Sequence, residues 1–100
     1  MTIYYFGEIS ETRKQQWEQK EDASPNSLFK WQREINTTQN AVIRNVKKFL
    51  HDEIQTDWGT RAYKGNKEDF SRFFTAIDLP DEAKSLEKNK IYVFAAVELW

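Results

Sequence analysis

The chain has no cysteine, one histidine, two prolines and three glycines among its 100 residues. Without cysteine it forms no disulfide, no zinc–thiolate site and no thiol nucleophile. One histidine leaves few nitrogen ligands for a transition metal, and the sequence contains no phosphate-binding loop, dinucleotide fingerprint or calcium-loop motif. We therefore predict no cofactor and no metal site, and we expect that the protein is not an enzyme.

A strong net charge and long apolar runs are also missing. The formal net charge is −1, so no global field draws the molecule to nucleic acid or to a membrane. The longest apolar run, Ile91 to Val97, is far shorter than the ~20 residues that a membrane helix needs. The first apolar run contains Glu8 and has no basic leader, unlike a secretory signal. We expect a cytoplasmic protein without a membrane partner.

Two similar runs of β-branched and aromatic residues stand near the two ends of the sequence. They are Ile3-Tyr4-Tyr5-Phe6 and Ile91-Tyr92-Val93-Phe94, and such runs are typical of strands. The sequence between them has a mostly helical pattern, and its 39% of hydrophobic residues suffices for one core. We predict a single compact α+β domain, residues 1–100, with the terminal strands adjacent in a small sheet.

The strongest helical pattern runs from Leu28 to about Gln55. At 100° per residue its apolar side chains fall on one face: Leu28, Trp31, Ile35, Val42, Ile43, Val46, Phe49 and Leu50. The segment 36–40 is poor helix-forming sequence, yet the apolar face keeps its phase across it. We prefer one long amphipathic helix packed against the sheet, with two helices as the alternative.

The rest of the fold depends on the last strand and on a shorter helix. Residues 91–99 are apolar on both faces, apart from Glu98, which is typical of an interior strand with two neighbours. Either a third strand near residues 57–64 or a second chain supplies the second neighbour, in the latter case as a homodimer through a sheet edge. A shorter helix with Asn66 as its N-cap follows, and one face holds Phe70, Phe73, Phe74 and Ile77.

Aromatic and basic residues alternate around the third-strand segment. Trp, Tyr and Arg are over-represented in protein-binding hot spots, and aromatics beside bases also stack on nucleobases. If the segment is instead an edge strand beside the last strand, its aromatics complete the core. Trp17, in an otherwise polar helical pattern, is the tryptophan most expected to be exposed. The candidate partner-binding residues are Trp17, Trp58, Arg61, Tyr63 and Lys64.

A basic face is predicted on the back of the long helix. Its members are Lys30, Arg33, Arg44, Lys47 and Lys48, followed by His51. From Lys30 to His51 this face would span ~32 Å at 1.5 Å per residue. It could follow phosphates or contact an acidic protein surface, or it is simply the solvated side of the helix.

These features favour a small non-enzymatic protein-binding module. It would dock on a larger protein or complex, including a nucleoprotein, and occlude its surface, as inhibitors, immunity proteins and phage-borne antagonists do. The alternative is a nucleic-acid-binding accessory protein that uses the basic face of the 28–55 helix.

Overall fold

The computed structural model of the protein describes residues 2–10, 29–55 and 60–98. Over these ranges the prediction of an α+β fold is confirmed, with five antiparallel strands in one sheet and three helices. The strands are β1 (Thr2–Ile9), β2 (Phe29–Ile35), β3 (Asp52–Gln55), β4 (Thr60–Gly65) and β5 (Tyr92–Glu98). The helices are α1 (Gln39–Phe49), α2 (Lys67–Ala76) and α3 (Pro80–Lys84). None of the described helices is long and apolar enough to cross a membrane.

The sheet has the strand order β2-β1-β5-β4-β3. Strand β5 pairs with β1 from Glu98 opposite Thr2 to Tyr92 opposite Glu8, and its other edge pairs with β4. It therefore has a neighbour on each side within the chain, which explains why apolar side chains occupy both of its faces. This pairing removes the reason to expect that a second chain completes the sheet.

The prediction of one long amphipathic helix over residues 28–55 is wrong, and so is the two-helix alternative. Residues 29–35 form a strand along the outer edge of β1, and the helix spans only Gln39–Phe49. The β1 backbone needs hydrogen-bonding partners that a helix cannot supply, so pairing outweighed the helical pattern. The sequence 36–40 is the start of a helix: the Thr38 hydroxyl accepts a hydrogen bond from the Ala41 amide at 3.3 Å.

Strands β1 and β2 approach each other very closely at Gly7. A Cβ atom at this position would collide with the carbonyl oxygen of Trp31, so only glycine fits. Near the far end of the pair the register shifts at Glu8/Ile9, where Trp31 lies opposite Glu8 and Phe29 opposite Ile9. This β-bulge places Phe29 and Trp31 on opposite faces of the sheet, although they are two residues apart.

All three described helices pack on one face of the sheet. The core between them is largely aromatic, with Phe6 of β1 at its centre against Phe70, Phe74 and Tyr92 at centroid distances of 5.2, 4.8 and 5.3 Å. A smaller buried cluster lies on the other face and contains Ile9, Phe29, Ala62, Val93 and Ala95. The predicted face of α2 is confirmed, because Phe70, Phe73, Phe74 and Ile77 are all buried.

Candidate functional site

A groove of about 450 Å³ opens between α1 and the helix-covered face of the sheet. Strand pairing builds its floor: Tyr4, Ala96 and Arg61 lie side by side on three neighbouring strands and point to the same face. The small Ala96 side chain between two long ones leaves the space. The α1 wall consists of Gln39, Val42, Ile43, Val46 and Lys47, and the sheet side is completed by Thr2, Tyr63 and Glu98.

The α1 wall has an exposed apolar residue at its mouth. Val42 and Val46 face the core and are buried, whereas Ile43 is 62% exposed. Ile43 and Lys47 are four residues apart, so they neighbour each other along the same wall. Ile43 is therefore a large apolar side chain that the fold leaves in water beside a concave surface.

Two tyrosines line the sheet side of the groove, Tyr4 on β1 and Tyr63 on β4, which are the two neighbours of β5. Tyr4 and Tyr63 are both buried, and burial raises the pKa of each above its ordinary value of 10.0. Nearby Glu98 raises the pKa of Tyr4 further. The charge of Glu53 also raises the pKa of Tyr63, whereas the positive charge of Arg61 lowers it. Both phenols therefore stay neutral near pH 7, where they act as hydrogen-bonding groups rather than as bases.

Four cations at or beside the groove have no carboxylate partner among the residues that the structure describes. Arg44, Lys47 and Lys48 on α1 and Arg61 on β4, which we call the basic patch, form no ion pair with any carboxylate in the described ranges. The carboxylate of Glu98, on the opposite wall, accepts a hydrogen bond from the Thr2 hydroxyl at 2.9 Å. Within the described ranges, these four cations therefore outnumber the carboxylates at the groove, which are Glu98 and Glu53.

Three of the candidate partner-binding residues, Arg61, Tyr63 and Lys64, lie on β4, and the alternation of side chains along the strand places them on two different faces of the sheet. Arg61 and Tyr63 both line the groove, with Tyr63 buried in the core rather than exposed. Lys64 points to the opposite face and forms an ion pair with Asp52 at 3.1 Å, so it does not belong to the groove. Trp17 and Trp58 lie outside the described residues.

The predicted basic face of a long helix does not exist. Lys30 and Arg33 lie on β2, where Lys30 is 3.9 Å from Glu8 and Arg33 pairs with Glu82 above the Phe6 ring. Only Arg44, Lys47 and Lys48 share a helix, and the four residue steps from Arg44 to Lys48 span ~6 Å instead of ~32 Å. The basic surface on the helix is therefore much shorter than expected, and it borders a groove.

Sequence reasoning missed the residues that complete the groove. The 28–55 pattern predicts that Ile43 lies on the apolar face of the helix, whereas the structure leaves it exposed. On the shorter α1, Val42 and Val46 define the buried side and Ile43 falls at its border. Glu98 had a visible signal, as the single charged residue in an otherwise apolar strand.

The described residues contain no group of three or more histidine, aspartate or glutamate side chains that could hold a metal ion. The groove therefore offers apolar contacts, neutral phenols and fixed charges, which are means of binding. No protein-family model, no curated protein and no solved structure matches the chain.

Proposed function

We propose that this protein is a small non-enzymatic binding module that docks on a larger protein through the groove and occludes part of its surface. The observation that carries the proposal is the position of Ile43. A single exposed apolar side chain is ordinary on a protein surface. Ile43, however, stands at the mouth of a concave site whose lining also contains the cations Lys47 and Arg61, which together form an apolar centre with a charged rim.

The size and lining of the groove suit an anchor side chain from a partner. Protein interfaces concentrate their binding energy where a few side chains enter a well-packed, water-excluding pocket. Val42 and Val46 line a space of about 450 Å³ but are themselves buried, whereas Ile43 offers an exposed apolar surface at its mouth. A partner that buries Ile43 and fills the groove would remove this apolar surface from water.

Binding rather than catalysis is the chemistry that these side chains support. Tyr4 and Tyr63 have raised pKa values, so neither is a base or a nucleophile near neutral pH. We therefore propose that the groove holds its partner without transforming it.

Nucleic-acid binding is the second candidate, and the basic patch is the observation that favours it. Phosphate contacts by Arg44, Lys47, Lys48 and Arg61 would make affinity fall steeply with salt. The patch is short, and Glu98 lies on the opposite wall of the groove, so this candidate ranks second.

The proposal is tested by affinity capture from cells that make the protein, with and without nuclease. We compare the wild type with Ile43→Asp and with Gln32→Asp, which adds the same charge at an exposed β2 position away from the groove. We expect a nuclease-resistant protein partner that Gln32→Asp retains and that Ile43→Asp loses at least ~10-fold, a change of about 1.4 kcal/mol.

Circular dichroism of each variant verifies that it is folded. Equal recovery of the same proteins by all three forms would contradict docking through the groove. Recovery that nuclease abolishes would favour the second candidate.

A further inference from the structure

We infer that the groove receives an acidic segment of its protein partner, in which a carboxylate stands next to a large apolar side chain. This inference rests on the docking function proposed above and adds the chemistry of the partner. It follows from the cations at the groove, from the position of Arg61 in its lining, and from the apolar side chains between these cations.

The first step is the grouping of cations at the groove. Among the described residues, five cations away from the groove form ion pairs and three do not; the five are Lys30, Arg33, Lys64, Arg72 and Lys90, and the three are Lys67, Lys84 and Lys88. Lys47 and Arg61 line the groove and form no ion pair with a described carboxylate, and Arg44 and Lys48 extend the same sign along α1. Two described carboxylates stand against these four cations: Glu98 in the groove lining, and Glu53, whose charge acts on the Tyr63 phenol. An incoming carboxylate therefore meets a field that a partner cation would not.

The second step is the position of Arg61 in the groove. Arg61 is exposed and lies on the same face of β4 as the buried Tyr63, and both residues line the groove. The N–H groups of the Arg61 guanidinium form a planar fork that matches both oxygens of a carboxylate, an arrangement that a lysine does not provide.

The third step is the apolar surface between the two cations. Val42, Ile43, Val46 and Ala96 share the cavity with Lys47 and Arg61. A carboxylate alone would leave this apolar surface exposed to water. An occupant that contacts both the cations and the apolar surface therefore carries an apolar group beside its acid. Aspartate or glutamate next to leucine, isoleucine or an aromatic residue has this chemistry.

A protein segment fits this lining better than a phosphate backbone. A nucleic acid gains from a continuous row of cations, whereas the three cations of α1 lie within ~6 Å of one another along the helix. A phosphodiester has no large apolar group to place against Ile43 and Ala96. An acidic peptide uses both the cations and the apolar surface.

The test is a selection of phage-displayed random peptides on the immobilised full-length protein. We expect the enriched sequences to share an acidic residue beside a large apolar one. Synthetic versions are then measured by fluorescence anisotropy. Replacing the peptide's acid by its amide should weaken binding about 10- to 100-fold, the range for one hydrogen bond to a charged group.

Matched protein variants show whether the groove makes this contact. The double variant Lys47→Glu, Arg61→Glu should lose binding to the same extent. The control Lys84→Glu, Lys88→Glu has the same charge change at two cations that also lack a described ion pair and lie away from the groove, and it should bind like the wild type. A peptide with lysine in place of its acid should bind the groove double variant better than it binds the wild type, which a merely unfolded variant could not do.

Three results would overturn the inference. The first is that selection yields no binding peptide. The second is that enriched peptides lack acids or bind equally well to the groove double variant; docking would then survive if capture still depends on Ile43. The third is that single-stranded or duplex oligonucleotides bind more tightly than every selected peptide and lose affinity in the groove double variant. Loss of the Ile43 dependence, in contrast, is a failure of the docking function itself.

Discussion

Replacement of Phe6 by alanine should remove a large part of the stability of this protein. Phe6 is fully buried, and its ring lies 4.8 Å from Phe74 edge to face and 5.3 Å from Tyr92 in a stacked arrangement. The guanidinium of Arg33 lies 5.4 Å from its centroid on the side of β2. One side chain thus joins the sheet to α2 and to the edge strand.

The expected cost follows from these contacts. Truncation of a buried phenylalanine to alanine costs about 3–5 kcal/mol, because the surrounding structure collapses only partly into the cavity. A domain of this size has about 5–15 kcal/mol of stability in total, so this loss is a large fraction of it. Phe6→Leu keeps much of the buried volume but loses the ring pairs, which are worth about 0.5–1.5 kcal/mol each. We expect about 1–2 kcal/mol for that variant, which remains folded and measurable.

Urea unfolding, followed by far-ultraviolet circular dichroism, measures both variants against Ile43→Ala. Ile43 is 62% exposed, so its truncation should change the free energy of unfolding by less than ~0.5 kcal/mol. A loss below about 1 kcal/mol for Phe6→Ala, or one no larger than that for Ile43→Ala, would refute the placement of Phe6 at the centre of the core. The same comparison shows whether Ile43 is dispensable for stability, as a residue kept for binding should be.

Three further predictions concern the backbone, a helix cap and pH. Gly7→Ala should destabilise the protein by about 1–3 kcal/mol in urea unfolding, because a Cβ would push β2 away at the Trp31 carbonyl; an unchanged midpoint would contradict the close approach. Asn66→Ala should cost about 1 kcal/mol, since Asn66 and Asp69 form a reciprocal capping box, and Asn66→Asp should largely preserve stability. Folding raises the pKa of Tyr63, so the unfolded chain releases this proton first and stability should fall as pH rises above 10.0. Urea titrations below and above that pH should show a shallower fall for Tyr63→Phe, and an equal fall would contradict the assignment.

The helix over residues 67–76 was predictable because its signals are local. The spacing of Phe70, Phe73 and Phe74 marks one face, and Asn66 begins the helix with the cap that its sequence suggests. Neither feature depends on where the helix packs. The strand Tyr92–Glu98 was predictable for a related reason, since β-branched and aromatic residues on both of its faces fit only a covered strand.

The segment from Phe29 to Ile35 could not be predicted correctly from its own pattern. Phe29, Trp31 and Ile35 fit a helical face and also, with one β-bulge, a strand. The outer edge of β1 favours the strand over the helix, because its backbone groups form hydrogen bonds with a neighbouring strand and could not do so with a helix. Because Lys30 and Arg33 belong to this segment, the error also produced a basic helical face that the protein does not have.

The candidate site likewise combines residues that the sequence singled out with a grouping that only the tertiary structure shows. The sequence drew attention to Arg61 and Tyr63, since arginine and tyrosine beside other aromatics are frequent in binding sites. It could not show that Tyr63 is buried while Arg61 is exposed, nor that both meet Tyr4 and Lys47 in one groove. That grouping needs the register of three strands and the position of α1, which are long-range properties.

The sequence by itself determined the α+β class, the two apolar faces of the last strand and the buried face of α2. Without cysteine and with one histidine, it also excluded disulfides and zinc–thiolate sites. These follow from composition and from contacts between near neighbours in the chain. Only the tertiary structure decided that residues 29–35 are a strand, that Ile43 is left in water, and that Lys47 and Arg61 share a groove. Each of these depends on backbone pairing or packing between residues distant in sequence, and the free energy of such contacts outweighs local preference.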